Sequence, residues 1–271
     1  MAAGEGRLTL TKHEGSGNDF LVTLDPAGAD LTPAAVRVLC DRHRGVGADG
    51  FVLGRTSKRA DLAMVLFNAD GSRAEMSGNG VRCLVQAAVS AGLVHPPRVA
   101  VETDAGIRVV ELRPGEQGGE LWATVDMGVP KLGEEVPSPV PGTRGRLVDV
   151  GNPHLVLIGP GAAGADVASV GARIERERPG GINVELVSPL ADGALVLRVW
   201  ERGVGETRAC GTGTVAAAAA ARAWGIAGDR VRVQNPGGWL EVVLDGPGGA
   251  ATLAGPVRKV ADVVVDPANL R

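Results

Sequence analysis

Two protic side chains, Ser77 and Cys210, each stand directly before a Gly-x-Gly run that opens a helix-like stretch. The runs are Ser77-Gly78-Asn79-Gly80 and Cys210-Gly211-Thr212-Gly213. The first amides of a helix have no intrahelical partner, and the macrodipole adds roughly half a positive charge there, so such a start suits an anion. Glycines allow close approach to those amides. Two such starts facing one another would hold a carboxylate between them, with Ser77 and Cys210 on opposite faces of the adjacent carbon. A cysteine at a helix N-terminus is expected to have a lowered pKa, which makes Cys210 a candidate general base toward a C–H bond. Alone, a Cys-Gly pair reads more readily as a small buried residue beside a turn. Its duplicate placement against Ser77 reverses that reading.

Other residues near these runs have the chemistry to read an amino acid. Asn18, Asn68, Asn152 and Asn183 supply paired donors and acceptors. Glu201-Arg202 offers an anion for an ammonium and a planar fork for a carboxylate. Asp19, Asp49 and Asp70 read as turn or cap residues, and Glu206 as an organiser of the loop before Cys210. Cys40 and Cys83 fall among apolar neighbours and read as core. His13, His43, His95 and His154 lack metal-ligand spacing, so no metal site is expected. The four lysines show no setting for a pyridoxal Schiff base, and no phosphate loop is convincing, so no cofactor is expected.

The elements that must position these groups repeat. Asn18 matches Asn152, Gly47 matches Gly181, Asn68 matches Glu201 and Ser77 matches Cys210, in the same order and always 133 or 134 residues apart. Separations that constant, close to half the chain, mark an internal duplication. Short Val-, Leu- and Ile-rich runs bounded by turn residues give strands in both halves. Helices are expected from Thr32-Pro33 to about His43, Ser77 to about Ala91, Ala162 to about Gly171, and Cys210 to about Trp224. The halves are read as 1–130 and 131–271, with C-terminal strand returning to the first.

At 271 residues with 44% apolar side chains, two domains with buried cores are expected. A net charge of −3 gives no reason to expect nucleic acid or an anionic membrane as partner. The apolar run Val215 to Ala223 is too short to span a bilayer. Three cysteines are too few for a disulfide framework and fit a reduced, cytoplasmic setting.

These motifs, together with Gly47-Ala48-Asp49-Gly50, Asn68-Ala69-Asp70-Gly71-Ser72, Gly151-Asn152-Pro153-His154 and the segment Glu201 to Gly213, resemble the diaminopimelate epimerase family, in order over almost the whole chain. The resemblance implies an α/β (α+β) fold of two similar domains, each a curved, mostly antiparallel sheet around a central helix, with the active site in the cleft between them. It implies two-base epimerisation of LL- to meso-diaminopimelate in lysine and peptidoglycan biosynthesis, without pyridoxal or metal, usually by a homodimer. By the match, Cys210 and Ser77 would be the catalytic pair. Asn68, Asn152, Asn183, Glu201 and Arg202 would bind the non-reacting end of the substrate, and Asn18 would line the site. The backbone of Gly78, Asn79, Gly211 and Thr212 would cradle the reacting carboxylate. Ser77 departs from the family pattern, which has cysteine at both catalytic positions, and Gly50 stands where many members carry a polar residue. Ser77 leaves three readings: a working epimerase, a variant slowed to an amino-acid-binding protein, or a sibling racemase or 3-hydroxy amino-acid dehydratase.

Overall fold

The computed structural model describes residues 7–24, 31–115 and 119–270. The chain divides into two units. Unit 1 comprises 1–15, 19–123 and 257–271, and unit 2 comprises 16–18 and 124–256. The main division therefore falls ahead of residue 130, and the chain's last segment belongs with its first.

Unit 1 begins with β1 (Leu8–Gly15) and β2 (Asn18–Leu24, whose Asn18 is grouped with unit 2). Helix α1 (Pro33–Cys40) follows, capped by Thr32, whose hydroxyl accepts the Ala35 N–H at 3.2 Å. It stops at Asp41, short of His43, because the Asp41 carboxylate collects the backbone N–H groups of His43 and Arg44 at 2.8 Å and turns the chain. Then come β3 (Gly50–Arg55), β4 (Leu62–Asn68), β5 (Arg73–Ala74), α2 (Gly78–Ser90), β6 (Arg98–Thr103) and β7 (Gly106–Pro114). β2 and β3 are parallel, β3 and β4 antiparallel, β4 and β6 parallel, and β6 and β7 antiparallel. α2 is buried on every side from Gly78 to Ala88 and packs on β1, β3, β4 and β7, so the sheet is built around it.

β8 (Leu121–Gly128) carries the chain into unit 2, where the same arrangement recurs. After β9 (Lys131–Val136), β10 (Arg144–Asp149) and β11 (Pro153–Ile158) comes α3 (Val167–Glu177), which starts later than its sequence suggests. Residues 162–164 form only a 3-10 turn, and the true cap is Asp166, whose carboxylate accepts the Ser169 N–H at 3.1 Å. Next are β12 (Asn183–Pro189), β13 (Leu195–Glu201), β14 (Gly205–Thr207), α4 (Gly211–Ala223), β15 (Arg230–Asn235) and β16 (Gly238–Leu244). β11 and β12 are parallel, β12 and β13 antiparallel, β13 and β15 parallel, and β15 and β16 antiparallel. This is the unit 1 pattern strand for strand. α4 is buried from Gly211 to Ala221, and its alanines, the best helix formers, let β10 to β13, β15 and β16 close around it. The final strand, β17 (Ala251–Val265), pairs with β16 in unit 2 and, from Arg258 onward, with β1 in unit 1. The fold is α+β with two similar domains.

Candidate active site

The two protic residues hold the same local position. Ser77 is the N-cap of α2 at φ −142°, ψ 122°, and its hydroxyl accepts the Gly80 N–H at 3.0 Å. Cys210 is the N-cap of α4 at φ −126°, ψ 118°, and its sulfur accepts the Gly213 N–H at 3.3 Å. Each therefore stands at the positive end of a buried helix with glycine amides beside it. Ser77 is half-buried, whereas Cys210 is only 5% exposed.

Burial changes the expectation for the thiol. Desolvation first, then the Glu201 and Glu185 carboxylates, push the Cys210 pKa well above its ordinary value; hydrogen bonds from Thr212 and Gly213 pull the other way and do not prevail. The lowered pKa expected from the helix start alone is thus corrected: low dielectric and two acidic neighbours outweigh the dipole.

Unit 2 gathers most of the sequence-predicted residues. Asn152, in the turn made by Gly151 at φ +90°, donates from Nδ2 to Thr212 Oγ1 at 3.4 Å, and Thr212 Oγ1 lies 3.4 Å from Cys210 Sγ. Asn183, 4% exposed, accepts the Arg202 backbone N–H at 3.0 Å and donates to the Pro153 carbonyl at 2.9 Å, tying the segments that carry Asn152 and Arg202. Glu201 accepts from the Thr207 hydroxyl, and Arg202 donates to the Gly180 carbonyl at 3.4 Å. Asn18 is 5% exposed and follows Gly17 at φ +76°. A Cβ on Gly17 would come 2.9 Å from the Gly237 Cα, so this turn needs glycine for space as well as for φ.

In unit 1, Asn79 is wholly buried beside Ser77 and accepts a hydrogen bond from the buried Arg82 guanidinium. Asn68 closes β4 and donates to the Ser72 hydroxyl at 3.0 Å. Asp70 is a turn residue, as expected, accepting the Ser72 N–H at 2.8 Å. Asp19 and Asp49 are not simply turn residues. Arg42 bridges them at 2.6 and 2.7 Å, and Lys12 lies 2.8 Å from Asp19. Burial opposes the Asp19 charge, but the Arg42 and Lys12 hydrogen bonds outweigh it and hold the carboxyl below its usual range. Glu206 is an ion-pair partner of Arg198 at 2.6 Å, which fastens β14 to β13. Cys40 and Cys83 are buried, and desolvation pushes each to about 12. Gly50 admits no side chain, since a Cβ would lie 2.7 Å from the Phe20 ring and 2.8 Å from the Phe67 carbonyl.

Reading by spacing missed two polar residues here, His154 and Glu185. Both are 0% exposed, and His154 Nδ1 lies 2.6 Å from Glu185 Oε1 while its Nε2 lies 2.8 Å from Asn152 Oδ1. A charged residue in the apolar strand Asn183–Pro189 was the available signal, because such a group needs a partner. Among the described residues, no three His, Cys, Asp or Glu side chains cluster as a metal site would require.

A family model described as diaminopimelate epimerase matches residues 10–133 and 146–260. The chain is 41% identical to a diaminopimelate epimerase of Corynebacterium glutamicum, over 94% of this chain and 96% of that one. It is 38% identical to one of Desulforudis audaxviator, over 94% and 98%. In structure it resembles a hydroxyproline epimerase from Agrobacterium vitis, with TM-score 0.74, 17% identity and coverage of 99% and 96%. It likewise resembles a Bacillus anthracis phenazine biosynthesis protein of the PhzF family, with TM-score 0.71, 17% identity and coverage of 96% and 99%. The last two likenesses are of fold.

Proposed function

Because the chain belongs to the diaminopimelate epimerase family, we propose that it interconverts LL- and meso-diaminopimelate by proton transfer at the α-carbon. The observation that carries the reading is the matched cap geometry of Ser77 and Cys210, each bonded to the third amide of a buried helix. Inversion requires a base on one face of the carbon and an acid on the other. Cys210, having lost its own proton to solvent, takes the α-proton as thiolate, the C–H electron pair passes into the carboxylate as an enediolate, and Ser77 delivers or relays a proton to the opposite face. The α2 and α4 amides stabilise the charge that builds on the carboxylate. In this reading Asn68, Asn152, Asn183, Glu201 and Arg202 bind the distal end of the substrate, and Asn18 lines the site. A serine hydroxyl is a far weaker acid than a thiol, so the Ser77 step is the slower half. No cofactor enters this scheme.

The same reading makes the protein a cytoplasmic homodimer in lysine and peptidoglycan biosynthesis, with a small amino acid as its ligand and neither nucleic acid nor membrane as partner. No described helix is long and apolar enough to cross a membrane.

Incubation with LL-diaminopimelate in D2O tests the reaction. Deuterium at the α-carbon with appearance of the meso isomer is expected. Binding without exchange would overturn it in favour of an amino-acid-binding protein.

A further inference from the structure

Cys210 ends a chain of hydrogen bonds that begins at two wholly buried groups on neighbouring parallel strands, Glu185 of β12 and His154 of β11. The links are Glu185 Oε1 to His154 Nδ1 at 2.6 Å, His154 Nε2 to Asn152 Oδ1 at 2.8 Å, Asn152 Nδ2 to Thr212 Oγ1 at 3.4 Å, and Thr212 Oγ1 to Cys210 Sγ at 3.4 Å. We propose that Glu185 is a positioning residue for Cys210, acting through His154 and Asn152 to aim the Thr212 hydroxyl proton at the sulfur. The proposal rests on Cys210 being the base assigned above.

The direction of the chain follows from its members. Asn152 Oδ1 can only accept, so His154 Nε2 carries a proton toward it. The 2.6 Å contact between Nδ1 and the Glu185 oxygen needs one proton between them, and Nε2 needs its own for Asn152. With Oδ1 committed to His154, the amide end of Asn152 donates to Thr212. A hydroxyl that accepts there has one proton left to give, and Cys210 is within reach. Were Nε2 bare, the carboxamide would turn over and take that proton from Thr212 instead. Glu185 sets the choice because its carboxylate occupies Nδ1 at 2.6 Å and leaves Nε2 to face Asn152. It also backs onto the first turn of α4, where a Cβ on Gly213 would lie 2.7 Å from Oε1.

The sign of one substitution separates this from a simple charge effect. As a bare negative charge, Glu185 opposes ionisation of Cys210, so Glu185→Gln would make the thiol more reactive. As a positioning residue its loss frees either ring nitrogen to hold the proton, and reactivity falls. The expected result is about a tenfold slower alkylation of Cys210 by iodoacetamide at pH 8, mapped by peptide mass spectrometry. A similar fall in kcat is expected, with KM within threefold. Thr212→Val should reproduce the slower alkylation and Thr212→Ser should restore it. Nitrogen NMR of the parent protein, simplified by only four histidines, should show His154 Nε2 protonated at pH 7.5. A bare Nε2, or Glu185→Gln alkylation that is unchanged or faster, overturns the proposal. If Glu185→Gln fails to fold, the Thr212 pair and the NMR of the parent decide. A parent inactive on diaminopimelate would refute the substrate reading alone, since alkylation and NMR need no substrate.

Discussion

The carboxamide oxygen of Asn183 accepts the backbone N–H of Arg202 at 3.0 Å, while its nitrogen holds the Pro153 carbonyl at 2.9 Å. One buried amide thus joins the turns that carry Asn152 and Arg202, two of the residues proposed to bind the distal end. Asn183→Leu would leave both backbone groups unpaired, at about 1–3 kcal/mol each. A KM for LL-diaminopimelate at least tenfold higher is expected, with a lower unfolding temperature, and steady-state kinetics with calorimetry check both. An unaltered KM would make the tie purely structural.

Ser77→Cys should raise kcat, because a thiol is the stronger acid and ionises more readily. It should also weaken the α2 cap slightly, by up to about 1 kcal/mol, since a hydroxyl is the better cap for the Gly80 amide. Chiral chromatography and urea unfolding give the two readings. An unchanged or lower rate would mean that the site is tuned to serine.

The raised Cys210 pKa predicts that kcat/KM climbs with pH through the alkaline range, without a thiol plateau below pH 9. A flat profile from pH 7 to 9 in the deuterium-exchange rate would argue against a Cys210 that rests as the neutral thiol.

Cys83 and Cys40 bear on stability at high pH. Each is held as a neutral thiol to about 12, against 9.0 as the ordinary value. The unfolded chain gives up its protons first, so stability is intact below pH 9 and declines from there toward 12. The wholly buried Cys83 contributes up to about 4 kcal/mol of that decline. Urea unfolding between pH 8 and 11 should show a shallower decline in Cys83→Ala than in the parent.

The caps were legible because their chemistry is local: Thr32-Pro33 and the two Gly-x-Gly starts announce α1, α2 and α4 within a few residues. α3 was misplaced because Ala162 opens only a 3-10 turn and the cap is Asp166, four residues on. Strand β9, rich in charge and amid prolines, and strand β17, broken by Gly255-Pro256 and Arg258-Lys259, carry weak strand signals. Their partners supply what their own residues lack. The His154–Glu185 pair was invisible to spacing because parallel register, not sequence distance, brings the two together.

The register of β1 against β17, from Leu8 with Val265 to Glu14 with Arg258, also bears on synthesis. Unit 2 is nearly continuous from 124 to 256 and has its strands in hand before residue 258 has been translated. Unit 1, although made first, lacks the strand that covers β1 until then. On the ribosome the later half can therefore mature before the earlier one, with β1 left as an open edge in the interval. Until then β1 presents the unpaired backbone groups along which a strand mispairs.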